Sequence, residues 1–232
     1  MKKFLKYSII FFIGLLTAKF DYNIAIPLAI IFFVRIRHKL LILSRKLRGK
    51  IFDSQDAMFK ENIYNIDIYA EYGVGESTIW VFNNTKAKII SVDTSQVWLE
   101  KIKTNLAVDS SRVNLGWVDL GDLSNWGKPT SYEKKENIIN YLEYIWQYPL
   151  TPKLILIDGR FRVACFFTCL LRAEIGTRII FDDYVNRPYY HIVEELVLPV
   201  ETFSRQALFI VPDQLDEEKV KKYLDRFLFV MD

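Results

Sequence analysis

The chain has 232 residues, 51% of them apolar, enough for one ordinary domain and an appendage. Its net charge of +3 conceals a division: residues 1–50 carry 11 Lys and Arg against the single acid Asp21, whereas residues 51–232 carry 20 against 27 Asp and Glu. The acidic larger part argues against nucleic-acid binding, and two cysteines with only His38 and His191 beside them argue against a disulfide framework or a thiolate metal centre.

Residues 1–34 hold two apolar runs, 7–18 and 24–34, separated by Lys19, Asp21, Tyr22 and Asn23, with Pro27 interrupting the second. Each is shorter than the ~20 residues of a perpendicular span, and one continuous helix would place Lys19 and Asp21 near the bilayer centre. A secretory signal fits Lys2, Lys3 and Lys6 but leaves the second run without a purpose. Basic residues stand on both sides, so a helical hairpin with both ends on the cytoplasmic face satisfies the charges best. A buried helical pair is the alternative. Residues 39–50, with Leu40, Leu41, Leu43 and Leu47 among Arg45, Lys46 and Arg48, read as a basic amphipathic helix on lipid headgroups. The expected division is therefore a membrane-anchoring part over 1–50 and an α/β domain over 51–232, cytoplasmic and bound to lipid through the first 50 residues.

Residues 52–63 read as a connector. From Ile66 the pattern becomes strand, helix, strand, helix. Ile66, Ile68 and Ala70 alternate with Asp67, Tyr69 and Glu71, Gly73 and Gly75 permit a tight turn, and Ser77 and Thr78 suit a helix start. Strands are expected at 88–93, 112–118, 153–158, 178–181 and 206–211. Helices are expected from Thr94 or Ser95 through Leu106, and over 132–146, 162–172, 188–198 and 213–228. The run Leu154-Ile-Leu-Ile157 has the unbroken apolar character of a central parallel strand. Cys165 and Cys169, four apart on one helix face, read as small buried residues. This alternation predicts a Rossmann-like, mostly parallel sheet with helices on both faces.

In such a sheet, ligands bind beyond the carboxyl ends of the strands. Five successive strands end in acids: Glu71, Asp93, Asp119, Asp158 and the pair Asp182-Asp183. Five on one edge read as a cleft. Asp93 lies 20 residues after Gly73, where an acid at the neighbouring strand tip can accept from ribose hydroxyls. Thr78 stands where a dinucleotide fingerprint needs its third glycine, and no Lys follows the turn, which disfavours NAD and nucleoside triphosphate. Arg160, Arg162 and Arg187 are placed to meet an anionic group or the acids themselves. Tyr184, Tyr189 and Tyr190 read as an aromatic wall or as packing, and Trp117 and Trp126 as a lid or as loop anchors.

The run Glu71-Tyr-Gly73-Val-Gly75-Glu-Ser77, followed by Ile90-Ser-Val-Asp93, resembles the first two motifs of class I S-adenosylmethionine-dependent methyltransferases. The likeness extends over residues 64–212, through Asp158-Gly-Arg160 and Asp182-Asp183-Tyr184. It implies a seven-stranded sheet with the last strand antiparallel. It further implies that Gly73, Gly75 and Ser77 pass under the cofactor, that Glu71 helps hold its amino-acid end, that Asp93 holds the ribose and that Asp119 lies near the adenine. Ser77 and Glu76 stand where the family often has a third small residue. Methyl transfer by in-line displacement needs a proton acceptor, for which Asp158, Asp182 and Asp183 are candidates, with Arg160 beside the acceptor. The same acids resemble the carboxylates of metal-dependent catechol-type O-methyltransferases and could hold Mg²⁺, but pairing of Asp158 with Arg160 or Arg162 is favoured over a metal. The expected activity is methylation of a small hydroxyl-bearing, glycan or lipid-linked acceptor at a membrane. The alternatives are an inactive methyltransferase-like scaffold there and, last, an NAD-dependent oxidoreductase.

Overall fold

The computed structural model describes residues 51–53, 55–106 and 111–232. The hairpin and basic helix expected within residues 1–50 lie outside the described residues. Among the described residues no helix is long and apolar enough to cross a membrane.

Seven strands form one sheet in the order β3-β2-β1-β4-β5-β7-β6. These are β1 (Ile68–Tyr72), β2 (Lys88–Asp93), β3 (Val113–Trp117), β4 (Leu154–Ile157), β5 (Arg178–Phe181), β6 (Glu201–Phe203) and β7 (Gln206–Ile210). The first five run parallel, and β7 is antiparallel to both β5 and β6. From β1 the chain builds outward through β2 and β3, then returns to build through β4 and β5. The switch point therefore lies between β1 and β4.

Helices α1 (Ala57–Ile63), α2 (Glu76–Asn84) and α3 (Gln96–Asn105) cover one face; α4 (Asn137–Glu143), α5 (Arg162–Arg172) and α6 (Glu217–Phe227) cover the other. Because both faces are covered, alternate residues of one strand enter different cores. Leu154 and Leu156 meet Phe59, Tyr69 and Val81, whereas Ile155 and Ile157 meet Phe166 and Phe181. Cys165 and Cys169 are both buried in α5.

Two elements depart from expectation. Residues 57–63 form α1 rather than a connector, with Met58, Phe59 and Ile63 buried; seven residues are too few to display a helical period. β6 has no residues assigned by the sequence pattern, although the resemblance implies a seventh strand. Its three residues are all exposed, so no alternation marks it, and its pairing to β7 alone defines it. Two helices are also shorter or tighter than expected. Residues 132–136 precede α4 as turns, and Pro188–Glu195 is a 3₁₀ helix.

At the switch point two glycines touch. Gly73 has φ +97, and a Cβ there would stand 2.8 Å from Gly159 N and 2.9 Å from Asp158 C. A Cβ on Gly159 would meet Gly73 N at 2.8 Å. Gly73→Ala combines a left-handed backbone with a clash against main chain, so we expect a loss of about 2–4 kcal/mol in urea unfolding. Gly121→Ala, also at positive φ but with open space around it, should cost less.

Candidate active site

The glycine turn rests on a buried carboxylate. Glu71 has no exposed surface. It accepts from Tyr69 Oη (2.7 Å), Ser77 Oγ (2.8 Å), Ser91 Oγ (2.8 Å) and Thr78 Oγ1. The strand register sets Ser91 directly beside Glu71. Thr78 Oγ1 also accepts from the Gly75 N–H at 2.9 Å, so the same hydroxyl ties the turn to the carboxylate. Burial raises the Glu71 pKa, against the four hydroxyls that favour the charged form. Glu71 and Ser77, expected at the cofactor, are bonded to each other beneath the turn, Glu71 with no exposed surface and Ser77 with little.

Asp93 meets the turn from the next strand. Its Oδ2 accepts from the Val74 N–H at 2.8 Å and its Oδ1 from the Ser95 N–H at 2.7 Å. Each oxygen keeps a further lone pair, and the side chain is half-buried. Burial pushes its pKa up, opposed by the backbone amides and by Arg160. Gly73 N–H donates to Val92 O at 2.8 Å, hanging the turn on β2. Trp98 Nε1 donates to Val74 O from α3. The loop after β3 reaches the same tip, where Thr94 Oγ1 donates to Gly127 O at 2.7 Å and Trp117 Nε1 to Thr94 O at 3.0 Å. Trp117 thus anchors this region, while Trp126 is 90% exposed. Asp119, in that loop, is held by Lys134 and by the Gly121 N–H at 2.9 Å, and the Lys134 contact lowers its pKa.

The other half of the site is ionic. Arg162, 2% exposed, ties together the tips of β4 and β5. Its Nη2 lies 3.1 Å from Asp158 Oδ1, its Nη1 3.2 Å from Asp183 Oδ2. It also donates to the carbonyls of Gly159 (3.0 Å), Asp182 (2.7 Å) and Asp158 (3.2 Å). Asp182 is fully buried and accepts through Oδ1 from Gln206 Nε2 (2.8 Å) and Arg205 Nε (3.1 Å). Asp183 also pairs with Arg187 at 2.8 Å. Asp158, Asp182 and Asp183 thus form one cluster, as expected, with carboxylate oxygens within 4.8 Å of one another. Burial and the adjacent Asp182 carry the Asp158 pKa well above the usual carboxylate range, against Arg162.

Arg160 leaves this cluster and points toward Asp232, whose main-chain oxygen it meets; its backbone N–H donates to Tyr141 Oη at 3.3 Å. Tyr184 and Tyr190 are buried against Phe181, leaving only Tyr189 to face solvent. Arg205 and Gln206 were not expected here. They sit at the β6–β7 turn, and nothing in their spacing announces that β7 folds back beside β5.

The seven-stranded mixed sheet, with a glycine turn at its switch point and acids at the strand tips, matches the Rossmann-like α/β methyltransferase fold. No family model and no curated protein matches the chain. Among solved structures it is similar to a methyltransferase-like protein from Silicibacter pomeroyi DSS-3, at 28% identity and TM-score 0.67 over 74% of this chain and 92% of that one. A Bacillus cereus O-methyltransferase solved in complex with SAH matches at 15% identity and TM-score 0.45, over 69% of this chain and 81% of that one.

The Glu71 network has a measurable signature. Its folded pKa lies above the unfolded one, so the stability it lends is present below the unfolded pKa and is lost as pH rises through the folded value. Glu71→Gln does not titrate. Urea unfolding from about pH 4 to about pH 7 should therefore show the native-minus-Gln stability falling as pH rises.

Proposed function

We propose that the chain is an S-adenosylmethionine-dependent methyltransferase acting on a hydroxyl of a small-molecule or glycan acceptor. The observation that carries this reading is the meeting of the glycine turn with Asp93, whose Oδ2 lies 2.8 Å from Val74 N. Both Asp93 oxygens are oriented by backbone amides and each retains a lone pair for a ribose hydroxyl. The absence of a Cβ at Gly73 lets the β4–α5 corner at Gly159 pack directly against the turn, which brings Asp158 beside it. The likeness to the Silicibacter pomeroyi protein supports the same reading.

Bound there, S-adenosylmethionine supplies an electrophilic methyl group on a sulfonium. Asp93 would hold the ribose, and the turn at Gly73 and Gly75 would lie against the chain beyond it, its own amides being taken by Val92, Asp93 and Thr78; Asp119, beside the β2 tip, is placed toward the adenine. Asp158 is about a third exposed and is the acid of the cluster best able to reach an acceptor. Its raised pKa suits it to take the proton of a hydroxyl as the methyl group arrives. Arg162 holds Asp158 in place, while Asp182 and Asp183 act through the arginines rather than on substrate. Mg²⁺ does not fit these acids, because Arg162, Arg187 and Arg205 already lie within 3.2 Å of them and offset their three charges. Residues 1–50, basic and apolar, would hold the domain to the cytoplasmic face of a membrane.

Calorimetry with S-adenosylhomocysteine and the full chain in detergent tests the reading. We expect saturable binding, weakened at least tenfold (~1.4 kcal/mol) by Asp93→Asn. Absence of both heat and thermal shift with the native chain would overturn it.

A further inference from the structure

The first 50 residues join the domain at the edge that carries the acids. Phe52 is buried against Phe59, with ring centroids 5.3 Å apart, and the Arg205 guanidinium lies over its ring. Asp53 Oδ2 lies 2.9 Å from Arg205 Nη1, while Arg205 Nη2 holds Asp182 Oδ2 at 2.9 Å. The chain therefore enters beside the tip of β5. Helix α1 leads away from that edge, since Asn62, near its far end, meets Arg178 at the start of β5 at 3.2 Å.

The surface around this root is apolar. Val185, Tyr189 and Phe203 are exposed on the β5 and β6 side of the edge, and the Val185 N–H donates to Arg205 O at 3.1 Å. Trp117 and Trp126 are exposed on the β3 side, four strand spacings or about 19 Å from β5. Asp93 and Asp158 end strands between the two groups. Trp126 holds φ +63, an unfavourable backbone for a bulky residue, in a loop that Gly127 ties to Thr94. Trp and Tyr are the side chains that favour the headgroup layer of a bilayer. Residues 51–53 reach at most about 11 Å. A residue 50 on lipid headgroups thus holds this edge close to them, where even a small interface is populated through effective concentration.

We propose that the domain docks edge-on to a lipid bilayer through this rim, with Trp126 and Tyr189 in the headgroup layer. The edge bearing Asp93 and Asp158 then faces the lipid. This rests on the membrane attachment proposed for residues 1–50 and is independent of the cofactor.

Residues 1–50 contain no tryptophan, so indole emission reports the domain alone. The full chain is reconstituted into vesicles of phosphatidylcholine and phosphatidylglycerol, with and without a nitroxide on the choline headgroup. The nitroxide should lower the emission of the native chain, and Trp126→Phe should remove at least half of that drop. Trp126→Tyr, which keeps a ring in place, should do the same. Trp80→Phe, on a partly buried indole of α2, should leave the drop intact. Flotation with the vesicles but no nitroxide effect, or an effect of which both Trp126 variants leave more than half, would overturn the docking and leave the attachment standing. A chain that does not float with the vesicles overturns both.

Discussion

A carboxylate with no access to water governs the glycine turn. An isolated buried charge costs several kcal/mol, and Glu71 offsets part of that cost by gathering four hydroxyls from β1, β2 and α2. None of those elements can shift without leaving a donor or the charge unpaired. Gly75 is fastened to the same group through Thr78. The turn is therefore fixed from below, and Asp93 fixes it from the side through Val74. The backbone of the turn is thereby held in one conformation, its amides at Gly73, Val74 and Gly75 each bonded within the chain.

The two halves of the site are held by different chemistry. Around β1 and β2 one charge sits among neutral hydroxyls. Around β4, β5 and β7 three carboxylates are interleaved with three arginines. Arg162 alone contacts side chains or carbonyls at Asp158, Gly159, Asp182 and Asp183. It locks the relative height of two strand ends as a bolt would. Arg205, with Gln206, adds β7 to the assembly through Asp182, beyond the strand's ladder to β5. The Gly73–Gly159 contact lies between the halves, where the backbones approach too closely for any side chain to intervene.

Much of this was legible in the sequence, because strands and tips leave local marks. Leu154–Ile157 has the unbroken apolar character typical of a strand covered on both faces, and each apolar run that ends in an acid marks where the edge begins. What the letters do not carry is direction. Glu71 and Asp93 both end strands, yet the pleat turns Glu71 inward beside Tyr69 and Ser91, while Asp93 faces the turn. The sense depends on strand register, a long-range property. Arg205, Gln206 and Asp232 lie beyond sequence reasoning for a related reason. Each reaches the site through a reversal of the chain, and nothing near it in sequence shows where it lands.

The charge balance of the tips also orders the roles of the acids. Asp182 is fully buried and Asp183 is shared between Arg162 and Arg187, so neither can release a partner without stranding a cation in a poorly hydrated place. Asp158 differs: its side chain is about a third exposed, and a single guanidinium, that of Arg162, pairs with its carboxylate. It can gain or lose a proton while the arginine web beneath it stays intact. The cluster thus divides by depth, with the inner acids holding arginines and the outer one open to solvent.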